Sequence, residues 1–218
     1  KKKNNPKILE IGSGDGFFID ECLKANISIT GSEASIKSLK NLKQKFNINF
    51  LKIRLPEKIK IKERYDVIIF NDVFEHLKNL NNVIYETKKL LKKEGLIVLN
   101  LPSSNGFIFR VSKILLNFGI NKFYDRLWQK GSCSPHISYF NKENLVSLFA
   151  KDDFQKIDSG NLDTVKLNNY RRFKDLFKSY PVVIFFSFLI SLFYFLQFFL
   201  PKDIIYVIFK SNSKKKLI

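Results

Sequence analysis

Three glycines near the start of the chain have the spacing of a turn that binds a ligand through its backbone. Residues 8–11 predict a short buried strand and residues 17–24 predict a helix, with Gly12, Gly14 and Gly16 between them. Because glycine has no side chain, a ligand can lie close to the backbone N–H groups at the start of the following helix. The segment therefore predicts a small-molecule site at a strand–turn–helix junction.

The spacing of these glycines and the residue before them narrow the kind of ligand. A dinucleotide-binding turn has the form G-x-G-x-x-G, whereas here the third glycine comes one residue early and Phe17 occupies the expected position. Glu10, just before the turn, would repel a pyrophosphate but suits an ammonium group. Taken alone, the turn leaves a purely structural role open.

Two segments together resemble a known enzyme family. Residues 10–16, Glu-Ile-Gly-Ser-Gly-Asp-Gly, resemble motif I of the class I S-adenosylmethionine (SAM) methyltransferases, E-x-G-x-G-x-G. Residues 71–77, Asn-Asp-Val-Phe-Glu-His-Leu, follow a predicted buried strand over 65–70. They resemble the D-V-x-E-H-L motif of the branch that includes ubiquinone-biosynthesis O-methyltransferases and many sugar and lipid methyltransferases. The resemblance implies SAM as the cofactor, with residues 71–73 lining its methionine end.

An acidic residue follows the second predicted strand, over 27–30. In a doubly wound sheet, an acid at this position can hydrogen-bond a ribose diol, and Glu33 lies 17 residues after Gly16. An exposed loop glutamate is the alternative. The motifs and this acid give the expected cofactor-binding set: Glu10, Gly12, Ser13, Gly14, Asp15, Gly16, Phe17, Glu33, Ala34, Asn71, Asp72 and Val73.

The chain has two histidines, and one of them is the candidate catalytic residue. His136 lies in Ser-Pro-His-Ile-Ser-Tyr-Phe, and an H-x-x-Y-F segment recurs in the resembled branch. Transfer of a methyl group to a hydroxyl removes a proton, so a histidine base at His136 suits the chemistry, and a structural histidine is the alternative. His76 either contacts substrate or is held by local hydrogen bonds at a helix start. Cys22 and Cys133 show no metal-ligand spacing, and we expect no metal.

Strands alternate with helices from residue 7 to residue 100, which predicts a parallel α/β sheet. The later predicted strands are 49–53, 65–70, 96–100, 154–157 and 203–210, and the later predicted helices include 34–46 and 80–91, with Gly95 as a helix stop. The resemblance implies a Rossmann-like fold: a seven-stranded mixed sheet with the last strand antiparallel and helices on both faces. We expect a single methyltransferase domain over residues 1–218.

Two insertions interrupt the expected fold. Residues 103–138 contain a predicted helix over 107–118 and an aromatic, basic stretch over 122–130. This insertion predicts either a substrate lid that touches a membrane interface or an ordinary packed cap. Residues 165–201 form the second insertion, in which residues 179–201 carry no charge and are rich in phenylalanine.

The second insertion is apolar enough to interact with a membrane. Residues 182–200 would span about 28 Å as a helix, close to the thickness of a bilayer core. A single crossing, however, would place the strand over 203–210 on the wrong side. Basic residues also flank both ends of the run: Arg171, Arg172, Lys174, Lys178, Lys202, Lys210, Lys214, Lys215 and Lys216. We therefore favour an interfacial or re-entrant segment, with a buried helix, a dimer face and a true span as alternatives.

The net charge of +18 favours an anionic partner. Because the basic residues flank apolar stretches, we favour an anionic membrane surface over nucleic acid. The Asn/Asp-Pro-Pro-aromatic motif of methyltransferases that modify base amino groups is absent after the strand over 65–70.

These observations predict a SAM-dependent methyltransferase that acts on a hydroxyl of a hydrophobic or lipid-linked acceptor. A prenylquinone precursor and a lipid-linked sugar or glycan are the candidate acceptors. We expect the protein to be cytoplasmic and peripheral to the inner face of a membrane. The alternatives are a membrane-associated SAM-binding scaffold without catalysis and a nucleic-acid methyltransferase.

Overall fold

The computed structural model describes residues 5–164 and 179–212. The strands are β1 (Ile8–Ile11), β2 (Ile29–Glu33), β3 (Phe50–Lys52), β4 (Tyr65–Asn71), β5 (Leu91–Pro102), β6 (Phe154–Leu162) and β7 (Ile204–Ser211). The helices are α1 (Phe17–Lys24), α2 (Ile36–Lys45), α3 (Leu80–Leu90), α4 (Phe107–Asn117), α5 (Lys122–Leu127), α6 (Lys142–Ala150) and α7 (Tyr180–Leu196), with a 3-10 helix at Phe74–His76. Residues 165–178 and 213–218, which include most of the basic residues predicted to flank the apolar run, lie outside the described residues.

The seven strands form one mixed sheet in the order β3-β2-β1-β4-β5-β7-β6. β1 to β5 pair in parallel, whereas β7 pairs antiparallel with both β5 and β6. The predicted class I methyltransferase fold is therefore confirmed. In this arrangement the carboxyl ends of β1, β2 and β4 lie side by side at one edge of the sheet, where such folds bind ligands.

The hydrophobic core lies on the central strands. Alternate side chains of β1, β4, β5 and β7 are fully or almost fully buried: Leu9, Ile68, Phe70, Ile97, Leu99, Val207 and Phe209. Phe149 of α6 stacks on Phe209 with ring centroids 4.2 Å apart, which fixes α6 against β7. The glycine turn and the end of β4 are thus carried by the most deeply buried part of the fold.

The predicted role of Gly95 as a helix stop is wrong. Helix α3 ends at Leu90, and β5 begins at the next residue. Leu91 pairs with Tyr65 and Leu96 pairs with Val67, so the residues between them form an irregular bulge in β5. The glycine belongs to this bulge, where space is tight: a Cβ would lie 3.0 Å from the carbonyl oxygen of Lys92 and 3.3 Å from that of Asp66.

Two strands are displaced or longer than predicted. β2 begins and ends later than the predicted 27–30, so Glu33 is its last residue and not part of a loop. β6 extends to Leu162, well past the predicted end at residue 157, because it pairs along the whole length of β7. Both differences arise from pairing with a neighbouring strand, which a local sequence pattern does not contain.

The apolar helix α7 is shorter than the predicted 182–200 and largely exposed. No helix among residues 5–164 and 179–212 combines the length and apolar character needed to cross a membrane. Large apolar side chains of α7 face outward: Ile184, Phe185, Phe188, Leu189, Leu192 and Phe195. Val183 is 3% exposed, whereas most of the described side chains of this helix lie outside the buried core.

The end of this apolar insertion is tied to the start of α4. Oδ1 of Asp203 accepts a hydrogen bond from the backbone N–H of Ile108 at 2.7 Å, and the carbonyl of Pro201 accepts one from Phe107 at 3.0 Å. The rings of Phe107 and Phe193 lie 6.4 Å apart. Since Gly106 at the helix start provides no side-chain cap, Asp203 supplies the cap from the far end of the chain.

Candidate active site

The glycine turn is fixed to the end of β2 by backbone hydrogen bonds. The N–H groups of Gly12 and Ser13 both donate to the carbonyl of Ser32, at 3.0 and 2.8 Å. Ser32 in return donates its N–H to Oγ of Ser13 at 3.1 Å, and Gly16 donates to the Ser13 carbonyl. The turn is therefore held in shape by hydrogen bonds within the protein.

Gly12 and Gly14 need to be glycine for different reasons. Both have left-handed backbones, with φ of +74° and +53°. A Cβ on Gly12 would lie 2.7 Å from Cγ2 of Val73, so this glycine lets the two motifs pack against each other. A Cβ on Gly14 would meet nothing within 4 Å, so the space beside Gly14 is open to a ligand.

Glu33 lies directly beside this turn. Its Oε1 accepts a hydrogen bond from the N–H of Gly14 at 2.8 Å, and its Oε2 accepts one from Ala34 at 3.0 Å. The carboxylate is partly exposed at the end of β2. This position is compatible with the predicted bond to a ribose diol, which stays a prediction.

Glu10 is a buried carboxyl group without a partner for one of its oxygens. Its side chain lies at the end of β1 and is 2% exposed, and Oε2 has no hydrogen-bond partner among the described residues. Burial raises the pKa of Glu10 to about 7. The charge of Glu33 adds a smaller increase, and a hydrogen bond with the side chain of Ser13 partly opposes the effect. An unpaired buried carboxylate is stabilised by a cation, so the residue fits an ammonium group.

The second motif meets the first at the end of β4. Oδ1 of Asn71 accepts a hydrogen bond from Nδ2 of Asn100, and the N–H of Asp72 donates to the Asn100 carbonyl at 2.9 Å. Asp72 has a left-handed backbone with φ of +52°, which turns the chain sharply after the strand. Val73 then packs on Gly12. The structure thus places residues 71–73 next to the glycine turn.

Asp15 and Phe17 line the same cleft as Gly14, between the turn and α2. The ring of Phe17 is 74% exposed and lies under Nζ of Lys45, which also donates to the carbonyl of Asp15. Both residues line an open cleft of about 410 Å³ against α2, and that cleft does not include Glu10 or Glu33. Their assignment to the cofactor stays a prediction.

A second group of chemically active side chains was not found from the sequence. Glu75, His76 and His136 each offer one ligand atom, and these atoms all lie within 4.8 Å of one another. The loop that carries His136 is fixed to Glu75 by its own backbone, since the N–H groups of Ile137 and Ser138 donate to the Glu75 carbonyl at 2.9 and 3.1 Å. The group combines residues about 60 positions apart, so spacing along the chain gave no signal.

Glu75 is the most deeply buried member of this group. Its side chain is 1% exposed, and neither carboxylate oxygen has a hydrogen-bond partner among the described residues. Burial raises the pKa of Glu75 to about 8, and the charge of Asp72 adds a smaller increase. Nε2 of His136 lies 3.9 Å from Oε1 of Glu75.

Hydrogen bonds fix which nitrogen of each histidine carries a proton. Nδ1 of His76 lies 2.9 Å from the carbonyl of Pro135, which can only accept, so Nδ1 carries the proton. The prediction that local hydrogen bonds hold His76 is therefore wrong, because its partner Pro135 lies in the loop that carries His136. Nδ1 of His136 lies 3.0 Å from Oη of Tyr139. The hydroxyl of Tyr139 donates its proton to the carbonyl of Leu127, so it can only accept from His136. Both histidines therefore keep a lone pair on Nε2.

An aromatic row leads away from His136 into the 103–138 insertion. Tyr139 packs on Phe109 and on Trp128, with ring centroids 4.7 and 5.0 Å apart, and Trp128 packs on Tyr124 at 5.8 Å. The indole N–H of Trp128 is buried and has no hydrogen-bond partner among the described residues. The row provides an apolar wall next to the histidines, with one unused donor.

Comparison with known proteins agrees with the predicted family and fold. A family model described as a methyltransferase domain matches residues 1–159. The ubiquinone biosynthesis O-methyltransferase of Pelagibacter ubique is 33% identical over 104 residues, which cover 45% of this chain and 43% of that protein. The malonyl-[acyl-carrier protein] O-methyltransferase 2 of Ilyobacter polytropus is 27% identical over 181 residues, which cover 78% and 62%. The matches thus span less than two thirds of either curated relative.

Solved structures show the same fold at low sequence identity. A SAM-dependent methyltransferase from Mesorhizobium loti has a TM-score of 0.62 at 10% identity, covering 96% of this chain and 93% of that one. The N-methyltransferase NodS of Bradyrhizobium japonicum, solved with S-adenosylhomocysteine, has a TM-score of 0.54 at 12% identity, covering 96% and 79%. With the matching family model, the two sequence motifs and the buried Glu10 beside an open glycine turn, this chain belongs to the class I SAM-dependent methyltransferases.

Proposed function

We propose that this chain transfers the methyl group of SAM to a hydroxyl of a hydrophobic or lipid-linked acceptor at an anionic membrane surface. A prenylated quinone precursor and a lipid-linked sugar or glycan are the acceptors we favour. The observation that carries the proposal is the aromatic row, which begins at His136 and enters the insertion that contacts the exposed apolar helix α7. The names of the curated relatives, two O-methyltransferases, support a hydroxyl or carboxyl oxygen as the acceptor atom.

On the donor side, the chain supplies groups that fit different parts of SAM. Glu10 is assigned to the methionine ammonium group, Glu33 to the ribose diol, and residues 71–73 to the methionine end. Bound SAM supplies a methyl group on a positively charged sulfur. The contribution of the protein is chiefly to hold donor and acceptor together in the reactive orientation.

On the acceptor side, His136 is proposed to act on the hydroxyl through the lone pair of Nε2. Burial, reinforced by the charge of His76, lowers the pKa of His136, so the ring is neutral near pH 7. Tyr139 holds its other nitrogen, which keeps the lone pair on the side of Glu75. The aromatic row beside it provides apolar surface for a hydrophobic acceptor.

The apolar surface of the protein supports a membrane location for the acceptor. Phe188 of α7 is 66% exposed, and Phe118 at the end of α4 is 80% exposed. The two helices contact each other through Phe107 and Phe193. Exposed aromatic side chains on a protein with a net charge of +18 suit the interface of an anionic bilayer. We propose that the protein lies on the cytoplasmic side of this bilayer.

A transfer assay with labelled SAM tests the proposal. A catechol bearing a prenyl tail, carried in anionic vesicles, is compared with the same catechol without the tail. We expect kcat/KM to be at least tenfold higher for the tailed acceptor, because only the tail contacts the apolar wall. Equal values would reject the hydrophobic acceptor. Failure of a SAM-binding sample to methylate any hydroxyl acceptor in a total lipid extract would favour the scaffold instead.

A further inference from the structure

We infer that Glu75, His76 and His136 bind one divalent transition metal ion, such as Zn²⁺, with open coordination positions for the acceptor oxygen. The existence of this site follows from the geometry of the three side chains. Its role in methyl transfer rests on the proposed function. The sequence-based expectation of no metal was drawn from spacing along the chain, and the structure assembles ligands that such spacing does not reveal.

The donor set has the composition of a catalytic metal site. Two imidazoles and one carboxylate are common ligands of Zn²⁺ and related ions in enzymes, where they leave positions free for water or substrate. The chain contains only two histidines, and both belong to this group. The 3-10 helix supplies Glu75 and His76, and the loop before α6 supplies His136.

Both imidazoles are oriented as metal ligands are. In metal sites, the ring nitrogen that does not bind the ion usually donates to a carbonyl, a carboxylate or a similar acceptor, which fixes the tautomer. Here Nδ1 of His76 donates to the carbonyl of Pro135, and Nδ1 of His136 donates to Oη of Tyr139. Each ring therefore offers the lone pair of Nε2.

The distance between Glu75 and His136 fits a shared ion better than a shared proton. A hydrogen bond between a carboxyl oxygen and an imidazole nitrogen is about 2.7–3.2 Å long, but Oε1 of Glu75 lies 3.9 Å from Nε2 of His136. Two ligands that each lie about 2.1 Å from one ion are up to about 4.2 Å apart. All three separations lie within 4.8 Å, so the group needs to contract by at most roughly 0.6 Å around the ion.

The buried carboxylate of Glu75 gives an independent reason for a ligand. A group that is 1% exposed and has no partner for either oxygen among the described residues is unfavourable as an anion. A metal ion would satisfy both charge and coordination. Gln129 is the neighbour that must adjust: its Nε2 lies 3.1 Å from Nε2 of His136, and rotation of this exposed amide would bring its carbonyl oxygen towards the ion.

A metal at this position would activate the acceptor hydroxyl in place of direct action by His136, because Nε2 of His136 would hold the ion. A coordinated hydroxyl loses its proton to water more readily, because the cation stabilises the oxygen anion. That oxygen then forms a bond to the methyl carbon while the bond between sulfur and the methyl group breaks. The products are the methyl ether, S-adenosylhomocysteine and one proton, and the ion keeps its oxidation state.

Metal titration of protein without a histidine tag tests the site. Zn²⁺ binding is measured by calorimetry and Co²⁺ binding by visible absorption, for the parent and for Glu75→Gln and His136→Ala. We expect one ion per chain and at least tenfold weaker binding in both variants. The control is Cys133→Ser, which removes an exposed thiol close to His136 in sequence and should leave affinity unchanged.

The outcomes separate this inference from the proposed function, because SAM binding and methyl transfer are measured on the same samples. A parent that binds SAM but neither ion overturns the site, and so does equal affinity in the ligand variants. Loss of binding in Cys133→Ser would assign the ion to the thiol and also overturn it. Full transfer activity after chelation would reject the role of the metal and leave the proposed function intact. Absence of transfer with both SAM and metal bound would instead count against the proposed function.

Discussion

The backbone N–H of Gly14 donates to Oε1 of Glu33 at 2.8 Å, and this bond joins the centre of the glycine turn to the last residue of β2. A ligand that reaches Glu33 therefore also lies against the backbone of Gly14. Nothing else occupies the space where a side chain at position 14 would project. The pair thus defines the part of the site that is easiest to block without disturbing the core.

Replacing Gly14 by alanine is expected to weaken binding of SAM and S-adenosylhomocysteine at least tenfold. The added methyl group projects into open space at the glycine turn, where the ligand is expected to lie. Alanine is also strained in the left-handed backbone at this position, where φ is +53°, and this strain should destabilise the fold by about 1 to 2 kcal/mol. Calorimetry gives the affinity, and urea unfolding gives the stability.

Gly119→Ala is the matched control for this substitution. Gly119 also has a left-handed backbone, with φ of +80°, and a Cβ there would likewise meet nothing within 4 Å. Both variants should lose similar stability, but only the Gly14 variant should lose affinity. Equal affinity in the two variants would mean that the space beside Gly14 is not part of the cofactor site.

The raised pKa of Glu10 predicts a dependence of stability on pH in the absence of ligand. Burial raises this pKa from 4.5 to about 7, so the folded state keeps the proton after the unfolded state has lost it. The contribution of Glu10 is therefore fully present below about pH 4.5 and declines by about 3 kcal/mol as pH rises to 7. Urea unfolding at pH 5 and pH 8 should show a smaller decline in Glu10→Gln than in the parent, because the raised pKa of Glu75 still contributes in the variant. Parallel curves for the two proteins would contradict the assignment.

The same residue predicts proton release when SAM binds. Below pH 7 the free protein holds a proton on Glu10, whereas a carboxylate paired with an ammonium group is ionised. Binding at pH 6 should therefore release up to one proton per chain, and affinity should fall with decreasing pH. Calorimetry in two buffers of different ionisation enthalpy measures the release. Glu10→Gln should bind more weakly and release none of this proton; equal release by the variant would exclude Glu10 as its source.

The exposed face of α7 predicts binding to anionic vesicles. Phe188→Glu places a charge on a side chain that is 66% exposed and should reduce sedimentation with anionic vesicles at least fivefold at low salt. Ile36→Glu on α2 is the control, because this side chain is 57% exposed, also apolar and remote in sequence from α7. Equal loss in both variants would mean that only net charge matters.

The alternative use of this face is contact with a second copy of the chain. Light scattering of the parent and of Phe188→Glu, both without lipid, distinguishes it from membrane binding. A monomeric parent that sediments with vesicles supports the interfacial helix. A parent dimer that dissociates in the variant and does not bind vesicles would contradict it.

The cap that Asp203 provides to α4 predicts a measurable loss of stability. Asp203→Ala removes the acceptor for the N–H of Ile108 and should destabilise the protein by about 1 kcal/mol, whereas Asp203→Asn should recover most of this loss. Asp163→Ala is the control: it removes an exposed carboxylate that pairs with Lys202 and should change stability little. Urea unfolding checks all three variants, and equal effects for Asp203→Ala and Asp163→Ala would reject the cap.

The parts of the site that the sequence predicts are those built from neighbouring residues. The turn over 12–16 and helix α1 follow from glycine spacing and apolar periodicity, and α1 has the predicted bounds of 17–24. The positions of Glu10 and Glu33 follow from strand ends in a parallel sheet. In each case one strand and its following loop contain the whole signal.

The parts that the sequence does not predict depend on contacts between distant segments. His76 and His136 meet because the loop before α6 folds back on the 3-10 helix, and no pattern near either residue shows this. Gly95 has the sequence context of a helix end, but pairing between β4 and β5 determines its place in the bulge. The exposure of α7 likewise depends on which surfaces remain to pack against it.

The link between Asp203 and Ile108 makes α7 and α4 mechanically dependent on each other. Pro201 and Asp203 hold two N–H groups in the first turn of α4, and only a few residues separate them from the end of α7. A force that pulls α7 away from the sheet must therefore either move α4 with it or break these two bonds. The end of the apolar helix is thus anchored, through Pro201 and Asp203, to the insertion that carries the aromatic row beside His136.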